Sequence, residues 1–219
     1  MDSAGRFVDL SHTVEHGMVT YQGFPPPVIS DFLRREDSRP HYAGQAEFHV
    51  GRIEMVANTG TYIDSPFHRY PQGADLSALP LERLADLEGL VVRAAGSLAA
   101  DRRGIGAELL ERAAPAAAFA GRAVLIHTGW SAHWRTQAYF HGHPFLEEAA
   151  ARFLAGAGAA LVGIDSYNID DTGDPRRPAH TLLLAAGIPI VEHLRGLDAL
   201  PDAGFRFHAV PVKVRGMGS

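Results

Sequence analysis

Short apolar runs alternate with amphipathic segments through the second half of this chain. Runs typical of buried strands cover residues 90–94, 123–127 and 159–164. The spacing of apolar residues predicts helices between and after them, and a further strand follows the last helix. The predicted helices are 105–114, 144–156 and 180–186, the last of them ended by Gly187, and the further strand is 188–191. Strand therefore alternates with helix.

Length and composition narrow the class of protein. A chain of 219 residues without a long polar tract is expected to form one domain, 1–219, with a sizeable core. The net charge of −5, with interspersed signs, argues against nucleic acid as a partner. The first thirty residues contain no apolar run of the length that a signal peptide or membrane span needs, so we expect a cytoplasmic protein without membrane contact.

The chain contains no cysteine. Disulfides and thiolate metal ligands are therefore excluded. Any bound metal must be held by histidine, aspartate or glutamate.

The stretch Asn58–His68 holds the densest group of chemically capable side chains. The residues before it, 48–56, alternate between apolar and polar as a half-buried strand does, so the stretch is predicted to begin where a strand ends in a loop. Gly60 lets backbone approach a ligand closely, and Pro66 stiffens the segment. Asp64 and His68 are thus expected to be presented from a preorganised loop.

This stretch has the sequence N-T-G-T-Y-I-D-S-P-F-H. It resembles the signature H-x-G-T-H-x-D-x-P-x-H of the cyclase family of metal-dependent hydrolases, which includes kynurenine formamidase-like and isatin hydrolase-like enzymes. Asn58 and Tyr62 stand where the family has two histidines that bind metal. Further segments that resemble the family are Val8–His12, Gly163–Ser166, Pro178–Leu184 and Ile190–Leu194. The resemblance implies an α/β fold of the swivelling β/β/α type, a mixed sheet flanked by helices, in homodimers or homotetramers.

The resemblance also implies a metal site. It assigns Asp64, His180 and Glu192 to a divalent ion, zinc or manganese, with water completing the shell. Asn58 is a weak neutral ligand and Tyr62 binds such an ion well only as a phenolate, so a binuclear form is expected to be lost. In the alternative interpretation, His180 and Glu192 hydrogen-bond to each other and Asp64 accepts bonds from backbone amides.

Two residues of the stretch are candidates for proton transfer. The resemblance assigns His68 as the general acid/base, and imidazole suits that role because its ordinary pKa of about 6.5 lies near working pH. The phenol of Tyr62 is a second candidate, as a proton donor or as a group that stabilises an oxyanion. The alternative for Tyr62 is that it only fills the space of a lost ligand.

Several aromatic residues are candidates for a substrate pocket, although core packing is an equal or commoner role for such side chains. Together with the polar Asn58 they indicate a small aromatic or apolar substrate. The candidate substrate-binding residues are Asn58, Tyr21, Phe24, Phe67 and Trp130.

Two other polar groups receive less specific interpretations. Asn168, Asp170 and Asp171 follow the strand ending at residue 164, lack the EF-hand pattern, and are expected to form a solvated loop or to support the site from behind. A histidine cluster is expected at the surface because its spacing fits neither a helical ligand pair nor the family signature. Its members are His133, His141 and His143.

Three functions remain open from the sequence. The first is a metal-dependent hydrolase in which activated water attacks an amide or ester carbonyl, with a formamide or a cyclic amide as the expected group. The second is a metal-independent lyase or cyclase that uses His68 and Tyr62. The third is a non-catalytic protein that binds a small molecule.

Overall fold

A computed structural model describes residues 7–97 and 102–219 of the chain. In chain order the strands are β1 (Val28–Leu33), β2 (Val50–Glu54), β3 (Tyr62–Asp64), β4 (Leu87–Arg93), β5 (Gly104–Ile105), β6 (Ala123–His127), β7 (Phe145–Leu146), β8 (Leu161–Ile164), β9 (Ile190–Glu192) and β10 (Ala203–Phe207). The α-helices are α1 (Arg35–Ser38), α2 (Ala107–Ala113), α3 (Glu148–Gly156) and α4 (Pro178–Ala185). Within the described ranges, no helix combines the length and apolarity that crossing a bilayer requires.

A six-stranded mixed sheet in the order β10-β4-β6-β8-β9-β3 forms the centre of the larger part of the chain. Its four middle strands are parallel neighbours, and β10 and β3 pair antiparallel at the two edges. The middle strands are almost wholly buried, as expected for a sheet covered on both faces. The predicted α/β class, a mixed sheet flanked by helices, is confirmed.

Alternate residues of the middle strands enter two apolar clusters. Val124 and Ile126 pack with Leu110, Leu154 and Leu183 of helices α2, α3 and α4. The residue between them, Leu125, belongs to a second cluster that includes Leu161, Val191, Leu84 and Leu87. Because successive side chains of a strand point to opposite faces, one apolar run supplies both clusters.

The predicted strands and helices are largely found, with changes at their ends. The strand predicted over 123–127 coincides with β6, and the helix predicted over 180–186 is α4, which starts two residues earlier at Pro178 and is followed by Gly187 at φ 69°. The helix predicted over 144–156 begins only at Glu148. Residues 145–146 instead form β7, because their backbone pairs with β5.

Contacts divide the chain into two compact units, 13–60 and the remainder, and the prediction of one domain over 1–219 stays a prediction. In unit 13–60, β1 and β2 form an antiparallel two-stranded sheet. The prediction that the strand before the motif is half-buried was wrong, since all five residues of β2 are exposed. Apolar and polar residues do alternate along β2, but neither face of the strand is buried in this sheet.

The motif begins in a loop after β2, as predicted, but the loop was expected to continue through residues 62–64. These residues form β3, which pairs with β9 at the edge of the central sheet. The sequence does not reveal this strand, because it is only three residues long. Its single aliphatic residue, Ile63, lies between Tyr62 and Asp64.

Candidate functional site

Strand pairing brings the motif to the last third of the chain. In the antiparallel pair of β3 and β9, Tyr62 is directly opposite Glu192, and Asp64 is opposite Ile190. Residues two apart in a strand share a face, so Tyr62, Asp64 and Glu192 lie on the same face of this edge of the sheet. All three are buried.

Asp64 is the most unusual of these residues. Its side chain is fully buried, and neither carboxylate oxygen has a hydrogen-bond partner among the described residues. His180 Nε2 lies 3.5 Å from Oδ2 and His68 Nδ1 lies 3.5 Å from Oδ1. A buried carboxylate without hydrogen bonds is costly unless a cation satisfies it.

The separations around Asp64 fit a shared divalent ion. Ligand bonds of about 2.1 Å at tetrahedral angles place two donor atoms roughly 3.4 Å apart. One donor atom from each of Asp64, His68 and His180 lies within 4.8 Å of the others. The donor set of imidazole and carboxylate is the one that zinc and manganese accept. The residues present therefore fit a metal ion.

His180 is held in place by Asp170. The residue lies in the first turn of α4, and its Nδ1 is 2.6 Å from Asp170 Oδ2. The same carboxylate accepts the backbone N–H groups of Ala179 at 2.6 Å and His180 at 3.1 Å. This contact turns Nε2 of His180 towards Asp64, as expected for a histidine ligand supported by a second carboxylate.

Burial lowers the pKa of His180, but its bond to Asp170 and the nearby carboxylates of Asp64 and Glu192 outweigh burial and raise the pKa to about 10. Metal ligation requires the neutral ring, so an ion must displace a proton from His180.

Glu192 completes the predicted ligand set and is itself tightly bound. Its Oε1 accepts the backbone N–H of Ile169 at 2.6 Å and lies 3.8 Å from His180 Nε2. Its Oε2 accepts a short hydrogen bond from the Tyr62 phenol and a longer one from Asn168 Nδ2, at 3.5 Å. Burial raises the pKa of Glu192 to about 7.

His180 thus lies within 4 Å of both predicted carboxylate ligands, whereas the group of donor atoms that all lie within 4.8 Å of one another in the described residues is Asp64, His68 and His180. The structure departs from the alternative interpretation, in which His180 and Glu192 bond to each other and Asp64 accepts backbone amides. His180 bonds to Asp170 instead, and no backbone amide of the described residues donates to Asp64.

His68 lies on the solvent side of the cluster. It ends the short 3₁₀ helix Pro66–His68, and its side chain is 35 % exposed. Its ring centroid is 5.8 Å from that of His180. Partial exposure beside a buried carboxylate suits a group that exchanges protons with a substrate, and the same position also allows Nδ1 to act as a ligand.

Behind Glu192 the rings of three residues pack together. Tyr62 contacts His193 with ring centroids 5.4 Å apart, and Tyr139 Oη lies 2.7 Å from His193 Nδ1. His193 has φ 55°, in the left-handed region, and burial lowers its pKa to about 3. A neutral imidazole thus supports the buried side of the site.

The predicted substrate-binding residues are not all in one part of the molecule. Tyr21, Phe24 and Asn58 belong to unit 13–60, where the rings of Tyr21 and Phe24 are 5.6 Å apart. Phe67 is half-buried next to His68, and the Trp130 indole N–H donates to the backbone oxygen of Tyr139 at 3.0 Å. Their assignment to a substrate pocket stays a prediction.

The structure decides between the two roles expected for Asp170 and corrects one expectation about a histidine. Asp170 is not in a solvated loop: it is fully buried and supports His180, the other role that the sequence allowed. His143 was expected at the surface but is buried, with Nε2 3.0 Å from the backbone oxygen of Asp170. The sequence analysis missed His193 and Tyr139; only the position of His193 directly after Glu192 could have indicated a role.

Comparison with known proteins identifies a family and a set of structures with the same fold. Residues 8–171 match the family model Cyclase, described as a putative cyclase. Kynurenine formamidase from Bacillus cytotoxicus is 26 % identical over 215 residues, covering 95 % of this chain and 91 % of that protein.

Solved structures with the same fold include isatin hydrolase A from Labrenzia aggregata bound to benzyl benzoate, at TM-score 0.78 and 24 % identity, covering 97 % of this chain and 90 % of that one. A potential metal-dependent hydrolase with cyclase activity has TM-score 0.73 and 26 % identity, covering 96 % and 92 %.

Proposed function

Because this chain belongs to the cyclase family of hydrolases, we propose that it uses a divalent ion, zinc or manganese, to hydrolyse an amide or ester bond of a small aromatic substrate. The observation that carries the proposal is Asp64, whose two buried oxygens lack hydrogen-bond partners among the described residues while two imidazole nitrogens lie 3.5 Å away. In the kynurenine formamidase relative the bond cleaved is a formamide, so an aromatic formamide is the first substrate to test.

Asp64, His180 and Glu192 would hold the ion, and His68 would remain free for proton transfer. Catalytic sites usually keep one coordination position open, which three protein ligands allow and four do not. A bound ion supplies Lewis acidity, which activates water and polarises a carbonyl oxygen. His68, partly exposed beside Asp64, donates a proton to the leaving nitrogen or oxygen of the substrate.

The remaining residues orient this machinery. Asp170 fixes the ring of His180, and Tyr62 with Ile169 fixes the carboxylate of Glu192. We propose that Phe67 and Trp130 contact the substrate, which would account for an aromatic or apolar preference, and the assignment of Tyr21, Phe24 and Asn58 in unit 13–60 stays a prediction.

The experiment combines metal analysis with turnover. Protein purified without chelator is expected to contain one divalent ion per chain and to hydrolyse formanilide, an aromatic formamide, or isatin, a cyclic amide. Chelation is expected to abolish turnover, and addition of zinc or manganese is expected to restore it. Absence of both ion and turnover would contradict the proposal.

The metal-independent lyase or cyclase that uses His68 and Tyr62 is the second candidate. The Tyr62 phenol would have to exchange its bond to Glu192 for one to the substrate. Turnover in metal-free protein that is lost in Tyr62→Phe would favour this candidate. A binding protein without catalysis would show ligand-induced stabilisation by the same compounds and no turnover.

We also propose a cytoplasmic homodimer. The two-stranded sheet β1–β2 carries large apolar side chains that are exposed, among them Phe32 at 75 %, Ile53 at 51 % and Val28 at 47 %. A two-stranded sheet is marginally stable alone, and an apolar surface of this kind usually marks an interface.

Light scattering tests this assembly. The parent is expected to have the mass of a dimer, and Phe32→Glu to shift it towards the monomer. Leu81→Glu, exposed at 55 % on the other unit, is the control. A tetramer that Phe32→Glu splits into dimers would support the homotetramer instead, and a parent that is monomeric would contradict both.

A further inference from the structure

Segment 216–219 packs directly on the loop that carries His68. We propose that this segment holds His68 in position and that Gly218 is a positioning residue of the site. The inference deepens the proposed function and rests on it for the catalytic role of His68. The first contacts lie at the two ends of the loop 65–76.

At the start of the loop, both the backbone N–H and the hydroxyl of Ser65 donate to the backbone oxygen of Gly218, at 2.7 and 3.0 Å. At its end, Leu76 N–H donates to the backbone oxygen of Met217 at 3.0 Å, and Gly216 N–H donates to Asp75 Oδ2 at 2.7 Å. Three consecutive residues therefore bond both ends of one loop.

Between these ends the loop is closed by its own backbone. His68 N–H donates to Ser65 oxygen at 2.9 Å and Phe67 N–H donates to Ala74 oxygen at 3.1 Å. His68 thus has no secondary structure longer than one 3₁₀ turn to fix it. Its position depends on what holds Ser65 on one side and on the hydrogen bond from Tyr70 Oη to the backbone oxygen of Thr181, at 2.8 Å, on the other.

Gly218 approaches His68 more closely than any side chain would permit. A Cβ placed on Gly218 would lie 2.5 Å from the Cα of His68 and 2.6 Å from its amide nitrogen. Real Cβ contacts are never so short, and the obstacle is backbone, which cannot swing aside. Gly218 is required here for space, since its φ lies outside the left-handed region.

The residue after Gly218 reaches the ring itself. Ser219 Oγ lies 3.5 Å from His68 Nδ1, the same nitrogen that faces Asp64. A methyl group at position 218 would push the backbone of His68 away from segment 216–219. The contact between Ser219 and the His68 ring would then be lost as well. Misplacing a catalytic group by about 1 Å can cost up to about a hundredfold in rate.

The test uses the full-length protein with Gly218→Ala, and Ser65→Ala as a milder second variant. Gly156→Ala is the matched control, because a Cβ there meets nothing within 4 Å. Hydrogen exchange of the peptide that covers 65–76 is measured without metal or substrate. Gly218→Ala is expected to accelerate exchange of the His68 amide about tenfold or more, Ser65→Ala less, and the peptide at 190–194 is expected to stay unchanged.

Turnover of formanilide or isatin supplies the second measurement. Gly218→Ala is expected to lower kcat about tenfold or more with KM within about twofold, since only the position of His68 changes. Unchanged exchange in both variants, or faster exchange with unchanged kcat, would overturn the proposal.

If the parent turns over neither compound, the hydrolase proposal fails while hydrogen exchange still decides whether segment 216–219 holds His68. If Gly218→Ala does not fold by circular dichroism, Ser65→Ala decides by the same criteria.

Discussion

Tyr62 donates its phenol hydrogen to Glu192, the residue directly opposite it on the neighbouring strand. The family signature has a metal-binding histidine at the position of Tyr62. In this chain, position 62 therefore holds a hydrogen-bond donor in place of that ligand. The donor bonds to Glu192, a candidate ligand of the remaining ion. We expect this pair to stabilise a site for a single ion.

Removing that donor should destabilise the protein. Tyr62→Phe leaves Glu192 Oε2 buried without its main partner, which typically costs about 1–3 kcal/mol. The free energy of unfolding in denaturant is expected to fall by that amount in metal-free protein, whereas Tyr42→Phe, at an exposed tyrosine, should change little. Equal effects of the two substitutions would show that the Tyr62 bond contributes nothing measurable.

Metal binding should depend on Asp64. Asp64→Asn removes the charge that two imidazoles face at 3.5 Å, so stoichiometric binding of zinc is expected to disappear by calorimetry. Zinc at 100 times its dissociation constant should stabilise the parent by about 2.7 kcal/mol and leave Asp64→Asn unaffected. Asp174→Asn, which alters a partly exposed carboxylate bound to Arg176, is the control and should bind normally.

His68 should separate catalysis from metal binding. His68→Gln is expected to keep one ion per chain while kcat falls by about 10²–10⁴, the usual contribution of a general acid or base. Loss of the ion together with activity would assign His68 to the ligand set of Asp64, His68 and His180 instead, which the distances also allow.

Asp170 should act through His180. Asp170→Asn keeps the size of the side chain but weakens the acceptor at 2.6 Å from His180 Nδ1. Loss of such support typically lowers metal affinity about 10–100-fold. Competition titration with a coloured chelator measures the change. Asp171→Asn, one residue further on, should retain the parent affinity because the side chain of Asp171 bonds to Gly173 and Arg103 and not to His180.

Stability at acidic pH should depend on Asp75. Hydrogen bonds from Gly216 and Ser77 lower the pKa of Asp75. A lowered pKa in the folded state means that the contribution of Asp75 is present above the unfolded value of about 3.9 and is lost as pH falls through the folded value. Asp75→Asn is therefore expected to reduce stability at pH 6 and to flatten its decline below pH 4, as thermal unfolding across this range would show. An unchanged acid limb would contradict the shift.

The parts of the fold that the sequence predicted are those whose signal is local. Residues 123–126 form an uninterrupted apolar run, His127 follows, and a strand buried on both faces satisfies this pattern. Strand β3 was not predicted, because it is a strand through its pairing with β9, 126 to 130 residues further along the chain, rather than through its own composition. The start of α3 was misplaced for the same reason, since β5 pairs with residues 145–146.

The sequence predicted the site residues that belong to a motif with preserved spacing. It did not predict the residues whose role depends only on tertiary contacts. Asp64, His180 and Glu192 were chosen by resemblance, and the structure places them together. The bond of Tyr62 to Glu192 and the burial of His143 depend on neighbours far along the chain, so no local pattern could indicate them.

His193 illustrates how this site constrains attempts to improve the protein. Its φ of 55° is one that glycine adopts without penalty and that costs other residues about 1–2 kcal/mol. Relief of this backbone conformation alone would favour glycine at position 193. The same exchange would empty the space of a fully buried ring that Tyr139 and Tyr62 contact behind Glu192, so the lost packing would outweigh the relief and the candidate site would loosen.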